Sequence, residues 1–224
     1  MSFLRTIKNA VVPAGARPRT VQAGAFRGIR LNLDLRSESQ FYVGLMEREL
    51  YPWLQRLSRG ARIAVDVGAA HGEYTLYFLM KTAAERVFSF EPDPLMVERL
   101  LVNLRLNGLE GNRRLELCTK FLRSEEGPDQ VTPAWLAERI LGPCLIKIDI
   151  DGPEAELLRS AAELLTLPDV RWLIETHSVA LENECIAILE SFGYAVTIVR
   201  NAWWRAIVPE LRPLEHNRWL VATK

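Results

Sequence analysis

The sequence has few cysteines, and none of them is placed to form a pair. Cys118, Cys144 and Cys185 are the only three, they lie far apart, and no C-x-x-C motif is present. An odd number of dispersed cysteines predicts neither a zinc knot nor a disulfide framework. Such cysteine usage is typical of a reducing compartment, so we expect a cytoplasmic protein.

The sequence also lacks long apolar runs and a surplus of charge. No apolar run approaches the roughly 18 residues that a membrane-spanning helix needs, so no membrane span is predicted. The 28 basic and 28 acidic residues cancel formally. A balanced charge argues against a polyanion held by bulk electrostatics, and we expect no nucleic acid partner. The 224 residues, of which 49% are hydrophobic, suffice for one large domain with a small extension.

A third missing feature is the dinucleotide fingerprint G-x-G-x-x-G. The apolar run Ile63 to Val67 predicts a buried parallel strand, and the turn that follows has the spacing D-x-G-x-x-x-G, from Asp66 through Gly68 to Gly72. Ligands bind at the carboxyl ends of strands in open α/β sheets, where Asp66 lies. Because a pyrophosphate disfavours an adjacent acid, Asp66 favours a cationic ligand. S-adenosylmethionine, which carries a free ammonium group, is such a ligand.

A second strand ends in another carboxylate. Val87 to Glu91 reads as a buried strand, and Glu91 is its last residue. In nucleotide-binding folds of this layout, an acid at this position accepts hydrogen bonds from both ribose hydroxyls. The two signals in one βαβ unit predict a nucleoside site.

The order of the remaining segments predicts the fold. Strands alternate with helices, which predicts a three-layer αβα sandwich of the Rossmann-like kind. The last two strands, Tyr194 to Arg200 and Arg218 to Ala222, have no helix pattern between them and should pair antiparallel. A seven-stranded mixed sheet with the order 3-2-1-4-5-7-6, as in class I methyltransferases, has this feature. We expect residues 59–224 to form that domain.

Residues 1–58 are expected to precede the domain as an arm, a small hairpin and cap helices. The arm covers residues 1–18, and the hairpin alternates weakly from Thr20 to Leu35. Ser37 to Leu57 looks helical, with an interruption at Pro52.

Acidic side chains and one imidazole are predicted to meet at the carboxyl edge of the sheet. The first, fourth and fifth strands are neighbours in this order, and their carboxyl ends carry Asp66, then Asp149 and Asp151, then Glu175 and His177. A buried ammonium must be paired, so Lys147 should contact an acid such as Asp66 or Glu175. A purely structural ion-pair cluster is an equal alternative for Lys147.

Five motifs in this order resemble the FkbM family of S-adenosylmethionine-dependent methyltransferases. They are Asp66-Val67-Gly68-Ala69 with Gly72, Tyr74 and Thr75; Phe90-Glu91-Pro92-Asp93-Pro94; Asn103 with Asn107; Lys147-Ile148-Asp149 with Asp151, Gly152 and Glu154; and Glu175 with His177. The resemblance implies a class I fold and methyl transfer, usually to a hydroxyl oxygen of a sugar, a polyketide or a similar small metabolite. It also implies that Gly68, Gly72 and Glu91 contact the cofactor. The chain departs from the family at His71, at Pro153 and in a shortened stretch before the fourth strand.

Two sets of site residues follow. For the cofactor, S-adenosyl-L-methionine, we expect contacts from Asp66, Gly68, Ala69, His71, Gly72, Tyr74, Thr75, Glu91, Pro92 and Asp149. For catalysis we expect His177 as the base, because histidine titrates near neutrality, with Glu175 or Asp149 orienting it and Lys147 nearby.

Three alternatives stay open. Asp149, Glu175 and His177 could hold Mg²⁺ or Mn²⁺ that binds the acceptor oxygen. The chain could instead bind the cofactor without catalysis and dock a partner through Trp203 and Trp204. A nicotinamide oxidoreductase is the third alternative, against which Asp66 and the missing third glycine speak. The sequence specifies no oligomeric state.

Overall fold

The computed structural model describes residues 12–125, 127–208 and 216–224. Residues 1–11 of the expected arm lie outside the described residues. The strands are β1 Arg17–Thr20, β2 Arg30–Leu33, β3 Ile63–Val67, β4 Arg86–Phe90, β5 Leu115–Cys118, β6 Phe121–Leu122, β7 Gln130–Val131, β8 Cys144–Ile148, β9 Val170–Thr176, β10 Ala195–Val199 and β11 Arg218–Thr223. The α-helices are α1 Leu35–Val43, α2 Tyr51–Ser58, α3 Glu73–Lys81, α4 Pro94–Leu106, α5 Pro133–Ala137, α6 Glu154–Arg159, α7 Ala162–Thr166 and α8 Val179–Ser191.

Seven of these strands form one mixed sheet in the order β10-β11-β9-β8-β3-β4-β5. β3, β4, β5, β8 and β9 pair in parallel, whereas β11 runs antiparallel to both β9 and β10. The predicted strand order, with its antiparallel pair at the carboxyl terminus, is confirmed. The parallel strands therefore direct the ends of β3, β4, β8 and β9 to one edge of the sheet.

Both faces of the sheet are covered by apolar side chains, which is why the parallel strands read as continuous hydrophobic runs. Successive β3 residues point to opposite faces. Val65 and Val67 belong to one buried cluster with Trp172, and Ala64 belongs to the other with Phe78. The second of these clusters also contains residues from β2, α1 and α2. The segment before residue 59 therefore shares a core with the sheet.

The hairpin is held against α4 by asparagine side chains. β1 and β2 pair antiparallel. The side-chain oxygen of Asn103 accepts from the Asn32 N–H at 2.7 Å, and Asn107 bonds both the N–H and the carbonyl oxygen of Arg30. The two asparagines lie one helical turn apart, and their side chains bond backbone groups of β2 as an adjacent strand would. Their role is to hold the hairpin against α4.

The predicted interruption at Pro52 of the helix from Ser37 to Leu57 is wrong. The helix breaks at Gly44, which adopts a left-handed conformation with φ 71°. Pro52 instead lies in the first turn of α2, where its missing N–H costs nothing. No helix in the described ranges has the length and apolarity to cross a membrane.

Candidate functional site

A cleft of about 480 Å³ opens at the carboxyl ends of β3, β4 and β8. Its apolar walls include Phe90, Leu122 and Ile150, and its polar groups include Glu91 and Asp149. The remaining lining residues are Val67, Gly68, Ala70, Pro92, Asp93, Met96, Lys120, Phe121, Arg123, Ser124, Asp151, Pro153, Glu156 and Leu157. A mostly apolar cleft with a few polar groups is the usual form of a small-molecule site.

The glycine turn after β3 borders this cleft, and its shape depends on two glycines. Gly68 has φ 78° and Gly72 has φ 89°, both in the left-handed region. A Cβ on Gly68 would collide with the carbonyl oxygen of Asp149, and one on Gly72 would lie 2.7 Å from Leu100 Cγ. Neighbouring protein atoms therefore require both glycines. Of the two, only Gly68 lines the cleft among the described residues.

Glu91 lies in the cleft with its carboxylate already oriented. Its Oε2 accepts from the backbone N–H of Ala70 at 2.7 Å, and its Oε1 accepts from the N–H of Asp93 at 2.9 Å. Each carboxylate oxygen can accept a further hydrogen bond. Ala70 has φ 46°, an uncommon conformation for a residue other than glycine, which aims its N–H at Glu91. The turn and the end of β4 thus support one another.

Asp66 lies behind the cleft rather than in it. Its side chain is fully buried; Oδ2 accepts from Thr75 Oγ1 at 2.7 Å, and Oδ1 is 3.6 Å from Lys147 Nζ. Burial raises the pKa of Asp66 to about 6, although Lys147 and Thr75 act in the opposite direction. The expectation that Asp66 meets the ligand's ammonium group directly is corrected, since Lys147 already occupies that role. Thr75 is likewise buried behind the turn.

Lys147 is a paired structural cation, as the alternative in the sequence analysis allowed. Its Nζ donates to the Gly68 carbonyl oxygen at 3.2 Å and lies 3.5 Å from Asp149 Oδ2. Burial disfavours the charged ammonium, but Asp149 and Asp66 outweigh burial and raise the pKa of Lys147. The predicted contact with Asp66 is confirmed. Lys147 therefore fixes the turn and the end of β8 relative to one another.

Three other residues expected at the cofactor do not line the cleft in the described part of the chain. His71 is buried, and its Nδ1 lies 2.6 Å from Glu73 Oε2. Tyr74 is buried and donates its hydroxyl proton to the Glu47 carboxylate. Ala69 is buried, with its N–H on the Phe90 carbonyl oxygen. Their side chains support the turn from behind.

His177 is surrounded by carboxylates. Its Nε2 lies 3.3 Å from Asp151 Oδ1, 3.6 Å from Glu175 Oε1 and 3.8 Å from Asp149 Oδ1. Its Nδ1 lies 3.3 Å from Glu154 Oε1. Glu154 and Glu175 raise the pKa of His177 to about 10, against the effect of burial. These acids favour the protonated imidazole, which does not agree with the expected titration of His177 near neutrality. The role of His177 as the catalytic base stays a prediction.

Glu175 and Glu47 form the buried side of the same acidic group. Glu47, Asp149 and Glu175 each offer an oxygen within 4.8 Å of the others. Burial, followed by Asp149, raises the pKa of Glu175 to about 7. Burial and Glu175 raise the pKa of Glu47 well above its ordinary value. Glu47 also has φ 45°, so its side chain reaches this group from a strained backbone.

The structure brings together only part of the predicted site. Gly68, Glu91, Pro92 and Asp149 line the cleft as expected, and Asp149, Glu175 and His177 adjoin one another beside it. Met96, Glu156 and Leu157 also line the cleft, although no sequence motif marks them. Met96 and Leu157 resemble core residues until the fold is known, and Glu156 resembles any exposed charge on a helix.

No family model matches the sequence, and no curated protein matches it either. Solved structures do match. Methyltransferase FkbM from Methylobacillus flagellatus KT is 20% identical with a TM-score of 0.57, and the alignment covers 73% of this chain and 44% of that one. An rRNA methylase from Streptococcus thermophilus is 14% identical with a TM-score of 0.53, covering 80% of this chain and 98% of that one.

A further match has a different substrate again. Precorrin-6y C5,15-methyltransferase from Geobacter metallireducens GS-15 is 16% identical with a TM-score of 0.52, covering 79% of this chain and 87% of that one. The fold is that of class I methyltransferases. At such identities the likeness concerns the fold alone, and the chain spans less than half of the FkbM structure that it matches.

Proposed function

We propose that the chain is an S-adenosyl-L-methionine-dependent methyltransferase that acts on a hydroxyl group of a small metabolite such as a sugar or a polyketide. The observation that carries the proposal is Glu91, whose carboxylate lines the cleft and is oriented by two backbone N–H groups. These bonds leave acceptor capacity for a pair of ribose hydroxyls. Phe90, Leu122 and Ile150 offer apolar surface for an adenine ring.

When bound, S-adenosylmethionine supplies a methyl group already activated on a positively charged sulfur. Asp149, which lines the cleft, would face the positively charged end of this ligand, because Asp66 is buried behind it. Gly68 and Lys147 hold the Asp149 segment in place from the side of the turn. The chain's contribution is mainly the alignment of acceptor and donor, which supplies most of the rate in such transfers.

We propose that Glu175, and not His177, accepts the proton of the acceptor hydroxyl. Glu175 is the last residue but one of β9 and adjoins Asp149 beside the cleft. Only 3% of its surface is exposed, and its Oε2 has no hydrogen-bond donor among the described residues. The bound cofactor would supply the methyl group to the acceptor oxygen, and the Glu175 carboxylate would take the proton that this oxygen loses.

The charge of this edge favours a small neutral acceptor over a nucleic acid. Carboxylates of Asp149, Asp151, Glu154 and Glu175 lie around His177 and would repel a phosphate backbone. We also propose that the chain divides into residues 1–58 and a methyltransferase unit of residues 59–224, and that the described residues 12–58 cover the acceptor side of this unit. The contact of Glu47 with Tyr74 supports this arrangement.

The test uses methyl-labelled S-adenosylmethionine and an extract of the host separated into small metabolites, RNA and protein. We expect label in the small-metabolite fraction as a methyl ether. Glu175→Gln should lower turnover by about 10²–10⁴-fold, while Glu163→Gln, on the exposed side of α7, should not change it. Label confined to RNA or protein, or no label at all, would contradict the proposal.

A further inference from the structure

Three side chains converge at the carboxyl edge beside the cleft. Asp149, Asp151 and His177 each offer a ligand atom, and these atoms all lie within 4.8 Å of one another. His177 Nε2 is 3.3 Å from Asp151 Oδ1 and 3.8 Å from Asp149 Oδ1. Two ligands at right angles on Mg²⁺, each at about 2.1 Å, are separated by roughly 3 Å. The two separations measured from His177 Nε2 are both wider than this value, the one to Asp149 more than the one to Asp151.

Polar atoms of His177 and Glu175 lack hydrogen-bond partners in the part of the chain that the structure describes. In the described ranges, neither ring nitrogen of His177 has a partner with hydrogen-bond geometry, although carboxylate oxygens lie 3.3–3.8 Å away. Glu175 has only 3% of its surface exposed; its Oε1 lies 3.6 Å from His177 Nε2, and its Oε2 has no hydrogen-bond donor among the described residues. Buried polar atoms are normally satisfied, so an imidazole and a buried carboxylate that are both unsatisfied indicate a missing ligand between them.

A further carboxylate braces two of the three side chains. Glu154 is fully buried, and its Oε1 accepts from the Gly152 N–H at 3.0 Å while lying 3.3 Å from His177 Nδ1. Asp151, next to Gly152, has φ 54°. Metal-binding histidines usually present their second nitrogen to a carboxylate, which fixes the ring orientation. Glu154 is placed to do this while also holding the Asp151 turn.

Negative charges outnumber positive charges around His177. The two oxygens of Asp149 face different groups, Oδ2 towards Lys147 and Oδ1 towards His177. The positive charge of Lys147 thus compensates the negative charges of Asp66 and of one side of Asp149. On the other side, the carboxylates of Asp149, Asp151, Glu154 and Glu175 outnumber the single imidazole. A divalent cation would balance this surplus.

We propose that Asp149, Asp151 and His177 bind a divalent cation of the Mg²⁺ or Mn²⁺ type. The two aspartates supply the oxygen ligands that these ions prefer, and the imidazole also suits Mn²⁺. The role of the cation rests on the proposed function: because Asp149 and Asp151 line the cleft, the ion would bind the acceptor hydroxyl oxygen beside the methyl donor. The bound hydroxyl gives its proton to Glu175, and its oxygen forms the bond to the methyl carbon as the carbon–sulfur bond breaks towards sulfur.

The test measures Mn²⁺ binding to the full chain after treatment with a chelator and desalting. Free Mn²⁺ is followed by its electron paramagnetic resonance signal during titration, without S-adenosylmethionine. We expect one ion per chain. Asp151→Asn, an exposed position, and His177→Gln should each weaken binding at least about tenfold. Asp169→Asn is the matched control, because Asp169 is also exposed, has φ 56° and precedes β9 at the opposite edge of the sheet.

The outcomes separate this inference from the proposed function. No uptake of Mn²⁺, or equal uptake by wild type and Asp151→Asn, overturns the cation site. Calorimetry with S-adenosylmethionine in the presence of chelator tests the cofactor site independently. Binding of the cofactor without Mn²⁺ uptake would leave the proposed function intact and reject the cation site. Uptake of Mn²⁺ without binding of the cofactor would reject the proposed function alone. Circular dichroism establishes that His177→Gln is folded.

Discussion

The side-chain amide of Asn103 donates a 2.7 Å hydrogen bond to the carbonyl oxygen of His71. The oxygen of the same side chain accepts from the backbone N–H of Asn32 at 2.7 Å. Asn103 is fully buried. One residue of α4 thus joins the glycine turn to the hairpin, so the shape of the turn depends on a segment that precedes the seven-stranded sheet in sequence.

Asn103→Ala should lower the free energy of unfolding by about 2–3 kcal/mol, because a buried carbonyl oxygen and a buried N–H lose their partners. Urea unfolding followed by circular dichroism measures the loss. Asn183→Ala, at an exposed position on α8, is the control and should change stability by less than about 0.5 kcal/mol. Equal effects of the two substitutions would show that Asn103 does not brace the turn.

Gly68→Ala tests the close approach of the glycine turn to β8. The added Cβ meets the carbonyl oxygen of Asp149, and the backbone is left-handed as well. Gly111→Ala has the same kind of backbone, with φ 65°, but no atom lies within 4 Å of the added Cβ. Gly111→Ala should cost only the conformational strain of about 1–2 kcal/mol.

In urea unfolding, Gly68→Ala should lower the free energy of unfolding clearly more than the control Gly111→Ala does. It should also weaken S-adenosylmethionine binding, since both Gly68 and Asp149 line the cleft. A similar loss of stability in Gly68→Ala and Gly111→Ala would mean that the turn moves easily to accommodate the added Cβ. The contact with Asp149 would then not explain why residue 68 is glycine.

Glu73 should make stability depend on pH in the acid range. Burial alone would raise the pKa of this carboxyl, but the His71 imidazole outweighs burial and lowers it to about 2. A depressed pKa means that the stabilisation is complete above the unfolded value of about 4.5 and is lost as the pH falls towards 2. Glu73→Gln should therefore be less stable than wild type by roughly 2–3 kcal/mol above pH 5.

The difference between wild type and Glu73→Gln should shrink steadily as the pH falls below the unfolded value. Urea unfolding at a series of pH values measures it, with Glu190→Gln at an exposed position of α8 as the control. A difference that does not depend on pH would assign the loss to packing instead of charge.

Arg205 connects the short 3₁₀ turn Trp203–Ala206 to the segment before α2. Its guanidinium makes two 2.8 Å bonds to the Glu49 carboxylate and a third, at 3.0 Å, to the Leu45 carbonyl oxygen. Arg205→Met leaves Glu49 as a buried, uncompensated charge, so unfolding should become easier by about 3–5 kcal/mol.

Arg159→Met is the matched control for Arg205→Met, because it removes one partner of an ion pair at the protein surface. Arg159 and Glu184 form a 2.9 Å ion pair in which both side chains are about half exposed. Its loss should cost less than about 1 kcal/mol. If thermal or urea unfolding gives the same loss for both variants, Arg205 does not fasten the turn.

The strands and their order follow from the sequence because buried parallel strands leave a strong local signal. The observed strand Ile63–Val67 has the bounds that its apolar run predicts, and the antiparallel end of the sheet followed from the missing helix before Arg218. The break at Gly44 was assigned to Pro52, since proline is a breaker inside a helix but is well tolerated in the first turn.

The site was harder to predict because it depends on which side of a strand end each side chain faces. Asp66 and Glu91 both end strands, yet Asp66 is paired with Lys147 and Glu91 faces the cleft. The contact of Arg205 with Glu49 joins residues 156 positions apart and has no local signal. For His177, the residue type predicted a neutral base, but the acids that raise its pKa come from three different segments.

Isothermal calorimetry with S-adenosylmethionine tests the central claim most directly. The account predicts one molecule bound per chain. Glu91→Gln should weaken binding at least about tenfold, because one charge-assisted acceptor oxygen is lost, while Glu116→Gln, a half-exposed partner of Arg86 on β5, should bind as wild type does. No heat of binding to the wild type, or equal affinity of wild type and Glu91→Gln, would contradict the account.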